Sequence, residues 1–203
     1  DRIGELLVIF AKSIPTIAKK SYNTNQKNYE LDTLINLLSI AQTKKKIEEV
    51  VHAIMSSLIA VSKALDCSIL INQEQGMKKF SYRNDTQIGL ENEKKLLAQS
   101  QKPCSLVDVS QKIGLKIDNE YNHVLAIALE NNGKELGTIL LYGGNIKNIK
   151  EQDLTFYAIL AQQISLLITN SLQYEEVEYL AIKDKLTGVY NRRYFMEKLE
   201  KES

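Results

Sequence analysis

Two hydrophobic periods alternate along this chain, and the places where one gives way to the other mark out its elements. Ile3, Leu7, Phe10, Ile14 and Ile17 step by four, three, four and three, the seam of a short coiled-coil-like helix within 1–20, interrupted at Pro15. Residues 21–29 are mostly polar and rich in Asn, which predicts a linker. Leu31, Leu34, Ile35, Leu38 and Ala41 then fall on one face of a helix over about 30–42. Ile47, Val50, Val51, Ile54, Leu58, Val61 and Leu65 stripe a second helix over about 45–65. From Cys67 the period changes. Residues 67–71 form an apolar run suited to a central strand, and 77–83, across Gln75-Gly76, are its expected hairpin partner. A helix is expected over 88–99 and a strand over 104–109, just after Pro103.

The clearest hairpin comes next. Residues 122–130 and 135–142 flank Asn131-Asn132-Gly133-Lys134, and Asn-Gly between two apolar runs is a strong turn signal. His123, Leu125, Ile127 and Leu129 face one way, and Val124, Ala126 and Ala128 the other. Both sets are largely apolar, so both faces of the sheet need a cover. From Glu151 the helical period returns and holds to about Lys183, roughly 50 Å of helix. Its first half is apolar around much of its circumference, at Leu154, Tyr157, Ala158, Leu160, Ala161, Ile164, Leu167 and Ile168. Past Leu172 the pattern narrows to Tyr174, Val177 and Ala181, with Glu175, Glu176 and Glu178 between them. A narrow stripe beside charges predicts a coiled-coil stalk over 173–183 that pairs in a parallel homodimer. A monomer whose last helix packs only on its own domain is the alternative. The order of elements predicts an α+β fold, an antiparallel sheet covered by helices on both faces, with long helices at its two ends.

Composition narrows the function. At 203 residues and 44% hydrophobic content, the chain holds one sizeable core plus appendages. A net charge of +1 supplies no field for nucleic acid or an anionic membrane, so no nucleic-acid partner is expected. Cys67 and Cys104 lie far apart without CxxC spacing, which points to a reducing, cytoplasmic setting. Two histidines, His52 and His123, are too few for a metal cluster. The apolar stretch 156–172 is interrupted by Gln162, Gln163, Thr169 and Asn170, so it predicts a buried helix and no membrane span.

The sharpest motif is near the end. Asp184, Leu186, Thr187, Gly188, Asn191, Arg192, Arg193 and Phe195 sit in the pattern Asp-x-Leu-Thr-Gly-x-x-Asn-Arg-Arg-x-Phe. Asp184 is a candidate helix stop, Gly188 a candidate left-handed turn residue, and Asn191 a candidate N-cap for a helix striped by Phe195, Met196 and Leu199. This pattern resembles the opening of GGDEF domains, the diguanylate cyclases. The resemblance covers residues 184–203 and implies that they begin such a domain, with the catalytic residues lying further on. It implies no catalytic residue in this chain, and GTP and Mg as the requirements of the full-length catalytic domain. The Gly143-Gly144 pair lacks the acidic residues of the family's name-giving hairpin. A chain that opens at Asp1 and ends with that last stripe uncovered is expected to be a fragment, its parent free to carry a membrane anchor upstream.

Residues 30–172 resemble a GAF domain, by element order and by Gly137-Thr138-Ile139-Leu140 at the end of the sheet; a PAS domain is the competitor. The GAF resemblance implies a sensor whose small-molecule ligand, if it has one, lies near 102–121, with Tyr82, Asp108, Tyr121 and His123 as candidate lining residues. A purely dimerising module without ligand is equally open. Neither cysteine is followed by His, which argues against a bilin, and no second axial partner for a haem on His123 is evident. A thiol-dependent methionine sulfoxide reductase is the alternative of another class, and it needs paired, accessible cysteines.

Overall fold

The computed structural model describes residues 32–33, 35–37, 39–40, 46–73, 76–83, 93, 104–108, 121–184, 187 and 189–202. The segments expected at 3–17 and 21–29 lie outside them, as do the expected helix 88–99 except Glu93, most of the expected ligand region 102–121, and Leu186 and Gly188.

Helix α1 spans Ile47–Ser62, followed by strands β1 (Asp66–Gln73), β2 (Gly76–Ser81), β3 (Cys104–Asp108), β4 (His123–Asn131) and β5 (Lys134–Tyr142). A 3-10 turn at Gly144–Asn148 leads into α2 (Glu151–Ile182), and α3 (Arg192–Glu202) follows. The five strands form one sheet in the order β2-β1-β5-β4-β3, every pairing antiparallel. The β4–β5 hairpin turns at Asn132 and Gly133, whose φ angles of 51° and 74° are the pair that an Asn-Gly turn supplies.

The sheet has two covered faces, as the doubly apolar β4 requires. On the first, Cys67, Ile69, Ile71, Leu125, Ile127, Leu129, Ile139 and Leu141 meet both α1 and α2 in one core. Helix α1 contributes Ile47, Val50, Val51, Ile54, Met55 and Leu58 to it, and α2 contributes Tyr157, Leu160, Ala161, Ile164, Leu167 and Ile168. On the second face Leu70, Val107, Val124, Ala126, Leu140 and Tyr142 form a smaller cluster flanked by Met77 and Tyr121. Glu93, in helical conformation, sits against this side. Gly137 is fixed by proximity: a Cβ there would lie 1.9 Å from the Leu70 carbonyl oxygen, so only glycine lets β5 close on β1.

Residues 32–33, 35–37 and 39–40 are helical, as expected. Of the face expected to be apolar, Leu31, Leu34, Leu38 and Ala41 lie outside the described residues and Ile35 is 60% exposed, while Leu37 and Ile40 are buried in the core shared with α1.

Candidate functional site: a buried carboxylate and a two-helix relay

The second face of the sheet carries a polar cluster in an apolar setting. Ser68 is, with Asp66, a polar residue within the buried run of β1, and Tyr142 ends β5 on the same face as Ser68. Both donate to Glu93: Ser68 Oγ to Oε1 at 2.7 Å and Tyr142 OH to Oε1 at 2.7 Å. Their own oxygens lie 3.0 Å apart. Lys79 Nζ, reaching from edge strand β2, stands 2.8 Å from Glu93 Oε2. Glu93 itself is fully buried. A buried carboxylate persists only when paired and hydrogen-bonded, and here both conditions are met. Burial first, and then the Glu93 charge, hold the Tyr142 hydroxyl well above its ordinary range. The cluster therefore pins the segment carrying Glu93 to the sheet by charge rather than by apolar contact alone. Glu93 lies in the run Glu91-Asn92-Glu93-Lys94-Lys95, which by sequence reads as a solvated face. The usable signal was Ser68, a polar side chain in an otherwise apolar strand that calls for a buried partner.

The four residues expected around a ligand fall into two groups. Asp108 and His123 are partners in the β3–β4 register, on the side of the sheet that faces the helices. Tyr82, 37% exposed, follows β2 and packs its ring 5.8 Å from that of His52 on α1. Tyr121 packs against the opposite, Glu93-bearing face. An open groove of about 700 Å³ runs along the outer side of α1, bordered by Asn36, Ser39, Glu48, Glu49, His52 and Ser56. Among the described residues no group of His, Cys, Asp and Glu is placed to hold a metal ion.

The second part of the site begins where α2 leaves the core. Up to Ser171 the helix is pinned by buried side chains; beyond it Tyr174, Val177 and Ala181, the expected stalk residues, are exposed. Glu175 turns back toward the domain. Its Oε1 accepts the backbone N–H of Ile47 at 2.8 Å. The residue at the N-cap of α1, Lys46, gives no side-chain hydrogen bond to its helix, so Glu175 of α2 supplies the acceptor that the helix start lacks.

At Lys183 the backbone becomes extended and α2 stops. Asp184, the expected stop, follows Lys183 directly and offers its carboxylate to a backbone donor. Its Oδ1 accepts the N–H of Thr187 at 2.9 Å and the Thr187 hydroxyl at 2.8 Å, which shapes the turn after the helix. The turn is closed by a bridge between Lys183 and Tyr190. Asn191 then serves both helices. Its Nδ2 donates to the Ala181 carbonyl at 2.9 Å, near the end of α2, and its Oδ1 accepts the Tyr194 N–H at 2.9 Å, capping α3. Arg193 Nη2 adds a second donor to the same Ala181 oxygen at 3.2 Å. Tyr190 and Tyr194 stack with centroids 5.0 Å apart. The direction of α3 is thereby tied to the last turn of α2 by side chains of the motif itself. Phe195, Met196 and Leu199 remain exposed, and Arg192 carries its charge on the same outer surface.

The thiols are poorly suited to redox chemistry. Cys67 and Cys104 are free and buried. They stand on β1 and β3, which are separated by β5 and β4 in the sheet. Burial pushes Cys104 from 9.0 up to about 11; burial, then the charges of Asp66 and Glu93, push Cys67 well above that ordinary value. The thiolate is the nucleophile, and neither site favours it.

No family model and no curated protein matches this sequence. Solved structures do match by shape. The GAF domain of an Acinetobacter phosphoenolpyruvate-protein phosphotransferase superposes with a TM-score of 0.56 at 15% identity, covering 72% of this chain and 97% of that one. Free methionine-R-sulfoxide reductase from Neisseria meningitidis, solved with its substrate, gives 0.54 at 11% identity, covering 71% and 90%. The phycoerythrobilin-bound GAF domain of a cyanobacterial phytochrome gives 0.52 at 13% identity, covering 72% and 97%. At these identities the likeness is one of architecture, and the architecture of this chain is the GAF fold.

Proposed function

We propose that this chain is the regulatory GAF module of a bacterial diguanylate cyclase, in which it brings two GGDEF domains together so that they join two GTP into cyclic di-GMP. The observation that supports this reading best is Asn191, a residue of the GGDEF-like motif that bonds at once to the end of α2 and to the start of α3. A motif whose polar side chains weld two helices at a fixed angle is suited to passing helix position onward. GTP and Mg belong in this reading to the GGDEF domain. The GAF module works as a parallel homodimer, because a reaction between two GTP, one per domain, needs the two domains face to face. A ligand on the Glu93 side, or dimerisation alone, would set the geometry of α2. The methionine sulfoxide reductase reading finds no support in the buried, separated thiols.

The test uses the full-length protein that contains this segment. Cyclic di-GMP formed from GTP is measured before and after one residue is inserted between Gln173 and Leu180. A large change in rate is expected. An unchanged rate removes the stalk from the mechanism, and no cyclic di-GMP from the unaltered protein overturns the cyclase assignment.

A further inference from the structure

Helix α2 shows solvent a second heptad pattern, separate from the buried one that the described core uses. Ile159, Gln163, Leu166, Asn170, Gln173, Val177 and Leu180 are all exposed and step by four, three, four, three, four and three. Between them Leu160, Ala161, Ile164, Ser165, Leu167, Ile168 and Ser171 are buried against the chain's own core. The apolar members of the outward row are 40–66% exposed. Side chains in a 4–3 row over about 33 Å of helix lie along one line and fit the matching line of another helix.

We propose that this row is the interface with a second copy of the chain, the two α2 helices parallel and in register, with Asn170 facing its counterpart. The proposal rests on the homodimeric reading above and gives that dimer its residues. Self-pairing in register sets each polar member against its own kind: Gln163 on Gln163, Asn170 on Asn170, Gln173 on Gln173. Ile159, Leu166, Val177 and Leu180 then form the apolar layers. An antiparallel pairing centred on Asn170 brings Gln163 against Val177 and leaves an amide without a partner, which is costly in a closed seam. A polar residue at one inner position fixes register at some cost in stability, and Asn170 holds that place. The first half of the row sits on helix already held by the core, so pairing there has little ordering entropy to overcome. Val177 is shared with the stripe expected from sequence. Tyr174 and Ala181 flank the row instead of forming it.

Cysteine cross-linking under mild oxidation tests the proposal, since Cys67 and Cys104 are buried. Leu166→Cys and Val177→Cys are expected to give disulfide-linked dimers through identical positions. Glu178→Cys, on the exposed helix surface but off the row, should stay unlinked. In an Asn170→Ile background the register loosens, and a mixture of Leu166→Cys and Gln173→Cys chains should link to each other, which they should not do with Asn170 present. A monomer at every concentration by native mass spectrometry overturns the homodimer and the seam together. A dimer in which Glu178→Cys links and Val177→Cys does not overturns the seam alone. Failure of the Asn170→Ile mixture to link overturns the role of Asn170 in register. None of these outcomes depends on cyclic di-GMP production, so failure of the cyclase assignment is read separately.

Discussion

Glu93 is the residue on which the second face turns. Its carboxylate gathers two hydroxyls and an ammonium from three different strands. Glu93→Ala removes the carboxylate from beside Lys79, whose side chain is only 19% exposed, and from both hydroxyls. Breaking such a buried pair is expected to cost about 3 kcal/mol, or about 6–12 °C in Tm for a chain of this size. Thermal unfolding of Glu93→Ala, Tyr142→Phe and the double variant measures it; strict additivity would mean that the two groups do not interact.

Cys104 makes a second prediction at this scale. Its thiol ionises near 9.0 when exposed and at about 11 in the fold. The folded state therefore holds the proton more tightly than the unfolded one. That contribution is complete below pH 9 and is lost as pH rises toward 11. Cys67 and Tyr142 are shifted in the same upward direction, so they add to the alkaline loss. Cys104→Ala should fall off less steeply than the parent between pH 9 and 11 in urea unfolding. Identical slopes would refute the burial argument.

Between elements, the contact to examine is the one from Glu175 to the start of α1. It joins residues 128 apart in sequence, and it lies where α2 passes from buried to mostly exposed side chains. Because Lys46 provides no side-chain cap, loss of the Glu175 carboxylate leaves the Ile47 N–H to water. Glu175→Ala is expected to cost about 1 kcal/mol, in the range of lost N-caps, and Glu175→Gln less, since an acceptor oxygen remains. Hydrogen exchange should show the change at the amides of Ile47–Val50 first. Protection unaltered there would mean that the contact carries no energy. The same contact ties the end of α2 to α1, the helix that shares a core with Leu37 and Ile40.

At the scale of the whole molecule, α2 is one rigid rod with two employments. Its inner side completes the core of the sheet, and its outer side and end carry the turn to α3. An α-helix advances 100° per residue, so a single insertion between Gln173 and Leu180 rotates everything beyond it by about that angle, whereas seven inserted residues restore the phase to within about 20°. Cyclic di-GMP formation in the full-length protein should therefore be altered by one inserted residue and largely recovered by seven. Equal loss in both would point to stalk length rather than phase.

The order of the described strands and helices, the Asn132-Gly133 turn, the two apolar faces of β4 and the extent of α2 were all legible in the sequence. Each is fixed by residues close to one another along the chain: a period of two or 3.6, or a pair of residues that tolerate positive φ. The cap that Asn191 gives α3 is equally local. The strand order β2-β1-β5-β4-β3, the burial of Leu37 and Ile40, the capture of Glu93 by Ser68 and Tyr142, and the reach of Glu175 to Ile47 were decided only in three dimensions. They join positions 25–128 apart, and a charged residue in a polar run looks the same in sequence whether it ends in water or under a sheet. Local pattern sets what each segment can become, and the free energy of burying its faces together selects which partner it meets.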